Sequence, residues 1–294
     1  FTIGDGRLLN QPLQNLSNAD RSFQYGSCQN TLSVINTPVG IYYINVENGK
    51  IFSVAEGITE ISAQGMNYWF SKYLPYQLLK DFPTYDFLDN PINGIGCQST
   101  YDATNKILYF SKRDYKLKPL LPGAEIHYLG NNVFEYHLGR IKFTIGLGDP
   151  IYFEDVSWTI SYDPKLNAWI SFHDWHQHLS LQGRNHFMTT LHNGIWKHNE
   201  QCVTYCNFYG IDFPFEVEFN QNTLQSVNTL KSIEYLMDAY RYTHNCNDRY
   251  HDLDSNFDEM IIHNSEQVSG VLTLNLQSKS NPFSDLSYPI INNK

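Results

Sequence analysis

The stretch SYDPKLNAWISF, Ser161–Phe172, is the part of the sequence that most directly indicates the fold. Its Tyr-Asp-Pro opens a turn, because Asp can accept hydrogen bonds from the backbone two residues on and Pro presets φ. Asn167 tolerates the left-handed conformation that such turns need, and the aromatic residues that follow suit a pleated strand. The stretch therefore predicts a β-hairpin.

The same pattern recurs elsewhere in the chain. YDATNKILYF, Tyr101–Phe110, aligns with YDPKLNAWISF, which contains one additional residue. Asn48-Gly49 lies between two apolar runs and predicts a two-residue hairpin turn with positive φ at both positions, and Leu191–Lys197 repeats this Asn-Gly pattern. Small antiparallel sheets that recur in this way predict a mainly antiparallel all-β fold that resembles β-propeller blades.

Other segments are assigned by their periodicity. Residues 213–219 alternate as Phe-x-Phe-x-Val-x-Phe, which is the period of a half-buried strand. Gln64–Leu88 has helical apolar spacing before Pro75 and predicts short helices inserted into the β-structure. The strands predicted in this way are Glu125–Tyr128, Val133–His137, Ile141–Ile145 and Phe213–Phe219.

The composition divides the chain into three parts. Residues 1–24 are polar and aperiodic and predict a lead-in arm. Residues 25–235 are expected to form the propeller-like domain, with its helical insertion near 64–88. Residues 236–294 are expected to hold a polar excursion and C-terminal strands. The chain starts at Phe1 and ends at Lys294 without an evident closing element, so we expect it to be part of a larger or processed protein.

The overall composition fits a β-rich globular protein. Of the 294 residues, 41% are hydrophobic, 15% aromatic and 17% charged. The formal net charge of −10 argues against nucleic-acid binding, because little in the chain would neutralise phosphates. There is no run of 18 apolar residues and no secretory signal, so we expect no membrane span.

The five cysteines do not form a recognisable framework. Their number is odd, and Cys202 and Cys206 have no second pair to complete a zinc site. We expect ordinary thiols folded in a reducing compartment.

A cluster of histidine and aspartate, HDWHQH at 173–178, directly follows the hairpin predicted at 161–172. On a strand, Asp174, His176 and His178 would share one face, and a carboxylate with two imidazoles can bind a metal. However, Gln177 and Ser180 favour an open loop after the strand. We therefore predict solvent-facing turn residues and no metal site.

Catalytic patterns are also weak. The acidic run at 252–258 fails as a calcium loop, because its sixth position is Phe257 and its twelfth is His263. The sequence has no phosphate-binding glycine motif and no nucleophile elbow. Several carboxylates could serve a glycan-cleaving enzyme, but none stands out as a pair. We predict no catalytic residue and no cofactor.

The order of these motifs resembles a known family, the tail structural (muzzle or nozzle) proteins of crAss-like phages that infect Bacteroidetes. The resemblance lies in YDPKLNAWISF, then GIWKHN, then the stretch from YGIDFPFEVEFN to KSIEY, and upstream in YGSCQN and TPVGIYYI. The matching residues are Tyr162, Asp163, Pro164, Trp169, Ser171, Phe172, Gly194, Ile195, Trp196, Asn199, Tyr209, Gly210, Pro214, Val217, Glu218, Lys231, Ile233, Glu234 and Tyr235.

The resemblance implies a virion component that is made in the bacterial host and located in the phage tail. It implies assembly with other copies of itself as a ring around the genome exit channel, beside other tail proteins, and it brings no catalytic residues. We expect the structural and interface anchors to be Tyr162, Asp163, Pro164, Trp169, Phe172 and Trp196, because large interfaces use aromatic anchors.

The alternative interpretation is a carbohydrate- or receptor-binding module of a tail. Exposed aromatic rings can stack on sugars, and Trp69, Trp175 and Trp196 are the candidates for contact with host-surface glycans.

Overall fold

The structure is a computed structural model of the chain. It describes residues 26–55, 57–183, 186–191, 194–198, 206–219, 239–242, 248–252, 256–264 and 266–274. The chain forms two compact units, residues 1–200 with 207–213, and residues 201–206 with 214–294. The predicted lead-in arm at 1–24 lies outside the described residues.

The first unit consists of short strands and two helices. Its helices are α1 (Asn67–Tyr73) and α2 (Leu78–Asp81). Its strands are β1 (Ile35–Thr37), β2 (Gly40–Asn45), β3 (Lys50–Val54), β4 (Ile58–Glu60), β5 (Gly96–Asp102), β6 (Ile107–Arg113), β7 (Tyr115–Leu117), β8 (Ala124–Gly130), β9 (Val133–Leu138), β10 (Ile141–Gly146), β11 (Phe153–Asp155), β12 (Trp158–Asp163), β13 (Ala168–His173), β14 (Leu179–Gln182), β15 (Phe187–Leu191), β16 (Gly194–Lys197), β17 (Asn207–Phe208) and β18 (Ile211–Asp212).

The second unit contains two hairpins among its described residues. Its strands are β19 (Tyr240–Tyr242), β20 (Arg249–His251), β21 (Glu259–His263) and β22 (Val268–Thr273). β19 pairs with β20 and β21 with β22, and both pairs are antiparallel. Arg241 forms an ion pair with Asp252 next to the first hairpin.

The antiparallel β-structure predicted from the sequence is confirmed. The first unit holds a meander in the order β1-β2-β3-β4, a four-stranded sheet in the order β13-β12-β6-β5, and three-stranded sheets β10-β9-β8 and β14-β15-β16. These sheets do not by themselves define a propeller, so the blade arrangement stays a prediction.

The two aligned stretches form neighbouring hairpins of one sheet, which we call the central sheet. β5 and β6 form one hairpin, β12 and β13 the other, and β6 pairs with β12. Ile160 lies between Phe110 on one side and Phe172 on the other. The residue added in the second stretch is explained by a bulge, because the register of β13 skips Ile170.

Three hairpins share the same four-residue loop. The loops at 46–49, 103–106 and 164–167 each follow an Asn or Asp whose side chain accepts backbone N–H groups of the loop. Each ends in a left-handed residue, Gly49 (φ 63°), Lys106 (φ 61°) or Asn167 (φ 52°). The predicted two-residue turn at Asn48-Gly49 is therefore wrong, because the Asx side chain stabilises a longer loop that needs only one positive φ.

The chain between the two hairpins of the central sheet is an insertion. β6 continues into β7 and β11 leads into β12, and β7 pairs with β11. β8, β9 and β10 then follow at 124–146, as the sequence predicts for the runs at 125–128, 133–137 and 141–145. Asn131 and Asn132, both with positive φ, form the tight turn between β8 and β9.

The central sheet is buried on both faces. Leu108, Phe110 and Ile160 belong to the main core, together with residues of the first meander and α1. Tyr109 faces the other way and packs with Trp175 and Phe187 in a second cluster. β5, β6 and β12 are therefore covered, whereas β13, the outer strand at the other end from β5, is exposed.

The helix prediction for Gln64–Leu88 agrees with the structure, since α1 and α2 lie within it. Phe70 and Leu78 anchor these helices in the main core. Both helices, seven and four residues long, are too short to cross a membrane, and the described part of the chain has no other α-helix.

The strand predicted at Phe213–Phe219 is wrong. These residues have no regular secondary structure, and Phe215, Val217 and Phe219 are exposed. Alternation favours a strand, but a strand also needs a neighbour for its backbone hydrogen bonds, and no described strand pairs with this segment.

Candidate functional site

The histidine-aspartate cluster at 173–178 lies across the face of the central sheet that carries Tyr109, opposite the main core. Trp175 and Gln177 are each only 2% exposed, so the prediction of a solvent-facing loop is wrong at these positions. The segment leaves the edge of β13 and turns back over the sheet, which brings its side chains into the second cluster.

A buried hydrogen-bond network fixes this segment. Gln177 Nε2 donates to Ser111 Oγ at 2.9 Å, and Thr159 Oγ1 donates to the carbonyl of Trp175 at 2.8 Å. Gln98 Nε2 donates to the Gln177 carbonyl at 3.2 Å. Because buried polar groups must be paired, these bonds specify where the segment lies. Its glutamine is therefore a structural residue.

The histidines of the second cluster are held neutral. Burial lowers the pKa of His173 to about 4 and the pKa of His198 to about 4, because the interior disfavours the charged imidazolium. The His198 ring stacks on Trp175 at 5.5 Å and on Phe187 at 4.8 Å. Its Nε2 lies 2.6 Å from Thr189 Oγ1. These imidazoles serve as flat packing groups.

No metal site is formed by these residues. Among the described residues no three His, Cys, Asp or Glu side chains are grouped so that they could hold a metal ion, and Asp174, His176 and His178 are no exception. Burial lowers the pKa of His176 as well. The acidic run at 252–258 lies partly outside the described residues, so the calcium question is not tested there.

The described cysteines are free thiols. Cys97 is buried, and Cys28 and Cys206 are half-buried. Burial raises the pKa of the Cys97 thiol to about 12, so this residue is not a nucleophile. Cys202 and Cys246 lie outside the described residues.

A cleft adjoins the second cluster. It is lined by Arg113, Asp155, Asp174 and His176, among others. The Arg113 side chain is engaged in hydrogen bonds within the protein. Its Nη1 donates to the carbonyls of Pro91 and Ile92 at 2.8 Å, and its Nε donates to the Tyr115 hydroxyl. The guanidinium therefore organises the protein's own loops and is not available to a substrate.

The helical insertion at 64–88 is held by a buried ion pair that was not predicted from the sequence. Lys112 Nζ lies 2.6 Å from Asp114 Oδ2, and both side chains are inaccessible to solvent. Lys112 also donates to the carbonyls of Tyr73 and Pro75, while Asp114 accepts the backbone N–H of Gln77 at 2.7 Å. Burial lowers the pKa of Lys112, and Asp114 opposes that shift. The pair ties the end of β6 to the helical insertion.

The outer strand of the central sheet, β13, exposes two large apolar side chains. Ile170 and Phe172 on β13 are 49% and 53% exposed. The Phe172 ring contacts Trp69 at 5.0 Å, and Trp69 contacts Tyr73 at 5.3 Å. We call Trp69, Tyr73 and Phe172 the edge patch.

The edge patch presents aromatic surface to solvent. Tyr73 is 41% exposed, and the Lys72 ammonium lies 4.8 Å from the centre of its ring. Trp69 and Tyr73 are four residues apart on α1, so they share one helix face. That spacing was the signal that could have revealed the helix's contribution from the sequence.

The predicted anchors divide between core and surface. Tyr162 is buried, and Trp169 packs on Tyr162 and Phe70 and donates from Nε1 to the Ile61 carbonyl at 3.2 Å. Asp163 accepts the N–H of Lys165 at 2.7 Å, and Pro164 is the first residue of that loop. Phe172 and Trp196 are exposed. Of the six, these last two are the exposed ones, whereas Asp163 and Pro164 are half-buried in the loop.

The three tryptophans proposed for sugar stacking also differ. Trp175 is buried and cannot stack on a glycan. Trp69 is half-buried within the edge patch, and Trp196 on β16 is 38% exposed, with its ring against Tyr209 at 5.5 Å. Trp196 is therefore the tryptophan best placed for a ligand.

A comparison with known protein families identifies the chain. The family model of the Crassvirus muzzle protein matches residues 22–191, more than half of the chain. This range includes β1 to β15 and the edge patch, whereas the motif residues from Gly194 onward lie beyond it. No curated protein matches the chain.

The match confirms the family that the order of sequence motifs suggested. The muzzle family is a family of structural proteins and not of enzymes. The chain belongs to the Crassvirus muzzle protein family and is a structural protein of the crAss-like phage tail.

Proposed function

We propose that this chain is a subunit of a ring at the distal tail, where it surrounds the channel through which the genome leaves the particle. The family supports a position in the tail, and the observation that carries the proposed assembly is the exposed edge of β13 within the matched range. Sheet edges with apolar side chains are prone to pair with other chains. Other copies of this chain and neighbouring tail proteins are the proposed partners.

The chemistry of the described surface supports a structural role. Gln177 beside the second cluster and the Lys112–Asp114 pair are engaged in internal polar contacts. The exposed groups of the edge patch are aromatic, as is common for interface anchors. A stable subunit with one aromatic edge suits repeated assembly.

Immunogold labelling of purified virions tests the proposed location. Antibodies raised against the chain should place gold at the far end of the tail, and averaged particle images should show density with rotational symmetry there. Labelling of the capsid alone, or no labelling of intact particles, would contradict the proposal.

Contact with host-surface glycans is a second candidate function. It is favoured by Trp196, which presents part of its ring beside the exposed Ile195. A glycan array probed with the wild-type chain and with Trp196→Ala tests it, with Trp175→Phe as a control that changes only a buried ring. Binding that Trp196→Ala does not reduce would contradict a sugar site at this residue.

A further inference from the structure

The outer edge of β13 and the segment at 213–219 have no β-strand partner among the described residues. β13 is an outer strand whose described neighbour is β12 alone. Residues 213–219 have strand-like alternation but pair with no described strand. One is a sheet edge without a strand, and the other is a strand sequence without a sheet.

The two features match in length and chemistry. β13 is six residues long, and residues 214–219 supply the same number. Phe215, Val217 and Phe219 alternate with Glu216 and Glu218, so an extended chain would carry one apolar and one acidic face. Pro214 cannot donate a ladder hydrogen bond, and it stands where the added strand would begin.

The edge patch offers an apolar surface for that face. Phe172 and Tyr73 keep about half of their surface exposed, and Phe215, Val217 and Phe219 are 66%, 57% and 69% exposed. Burial of these groups against each other would be favourable, at roughly 25 cal/mol per Å² of apolar surface.

The charges near the two features are also complementary. Lys72 lies against the Tyr73 ring, and Lys165 is exposed in the loop before β13. Glu216 and Glu218 are exposed in the segment at 213–219. Glu218 Oε1 lies 3.5 Å from His263 Nε2, a long distance for an ion pair. Opposite charges steer such an encounter and fix its register.

We propose that residues 214–219 of one copy add as a fifth strand to the β13 edge of the central sheet in the next copy. Strand addition uses main-chain hydrogen bonds for affinity and alternate side chains for specificity. The contact joins different surfaces on the two copies, and head-to-tail contacts of this kind generate closed rings when the rotation closes. The inference rests on the proposed function and names the surfaces that would carry the ring.

Mixed-chain disulfide trapping tests which copies pair. One full chain carries Ser171→Cys, and a second chain with a size tag carries Glu216→Cys. Ser171 and Glu216 share one face of the extended sheet, because each alternates with the apolar residues that pack on the edge patch. After mixing and mild oxidation, a mixed dimer should form on a non-reducing gel, above the background that each single variant gives with the native cysteines. A Ser171→Cys/Glu216→Cys chain that instead closes only within itself would overturn the proposal.

A matched pair of variants tests the strand itself. Val217→Pro removes a backbone donor and should weaken self-association at least about tenfold in sedimentation experiments, which is about 1.4 kcal/mol. Val217→Thr keeps the donor and strand propensity and should stay within about twofold of wild type. Phe172→Ala should weaken association from the other side of the contact.

The outcomes separate this inference from the proposed function. Association of Val217→Pro as tight as wild type, or a wild-type chain that stays monomeric up to its solubility limit, would overturn strand addition. Tail labelling by immunogold would still hold in either case. Loss of tail labelling would instead sink the proposed function.

Discussion

The two hairpins of the central sheet use the same loop but meet different surroundings. β5–β6 and β12–β13 both turn through four residues that follow a Tyr-Asp pair. β6 is covered on both faces, whereas Ile170 and Phe172 of β13 are exposed. The difference teaches that the local sequence sets the turn, and the position in the sheet decides whether the following strand is core or surface.

The strongest test compares Phe110 with Phe172, which flank Ile160 on its two sides. Phe110→Ala should lower the free energy of unfolding by about 3–5 kcal/mol, because it leaves a cavity in the core. Phe172→Ala should cost about 1 kcal/mol or less, since half of the ring is already in water. Denaturant unfolding followed by circular dichroism measures both, and equal losses would contradict the division into buried and open hairpins.

The next effect tests the end of the buried hairpin. Lys112→Met keeps the side-chain stem but leaves the Asp114 carboxylate buried without its cation, and it should cost about 3 kcal/mol. Lys165→Met in the exposed loop of the open hairpin is the control and should change stability by less than about 0.5 kcal/mol. The double variant Lys112→Met/Asp114→Asn should recover part of the loss. A fully stable Lys112→Met chain would disprove a structural role for the pair.

The two loops themselves should differ by a smaller amount. Asp102 is buried and accepts the N–H groups of Thr104 and Asn105, so Asp102→Ala should cost about 1–3 kcal/mol. Asp163 makes the equivalent bonds in a half-exposed loop, where water can replace them, and Asp163→Ala should cost about 1 kcal/mol or less. Thermal melts of the two variants measure the difference, and a costlier Asp163→Ala would reverse the comparison.

The smallest effect is on pH dependence where the two hairpins meet. The His173 ring at the end of β13 lies 5.3 Å from the Tyr109 ring of β6. Burial lowers the folded-state pKa of His173 to about 4, so between pH 6.5 and 4 the unfolded chain binds more protons than the folded one. Stability should be fully present above about pH 6.5 and should fall as the pH drops toward 4.

His173→Gln should make this part of the stability profile shallower, and the remaining slope belongs to His198, whose pKa burial also lowers to about 4. Unfolding midpoints measured at half-unit pH steps provide the check. An unaltered acid slope in His173→Gln would show that this imidazole is not held neutral by the fold.

Much of the local structure was predictable because turn chemistry is local. The Asp residues and the aromatic strands predicted both central hairpins, and strand-like runs predicted the insertion strands β8 to β10. The loop at 46–49 was misjudged because Asn-Gly fits two turn types, and the buried Asn45 side chain selects the longer one. The site was harder: Trp175 was taken for a surface ring but is buried, and the role of Phe172 and Trp196 as interface anchors stays a prediction.

The sequence by itself determined the family, the antiparallel β-class, the repeated hairpin and the absence of a motif for catalysis. These depend on residue type and short spacing, which the chain carries locally. Only the tertiary structure decided that Trp175 is buried, that the added residue is a bulge at Ile170, and that Lys112 pairs with Asp114 beneath the helical insertion. It also left 213–219 unpaired with any described strand. The physical reason is that burial and pairing depend on what the rest of the chain brings alongside, and periodicity cannot specify a neighbour.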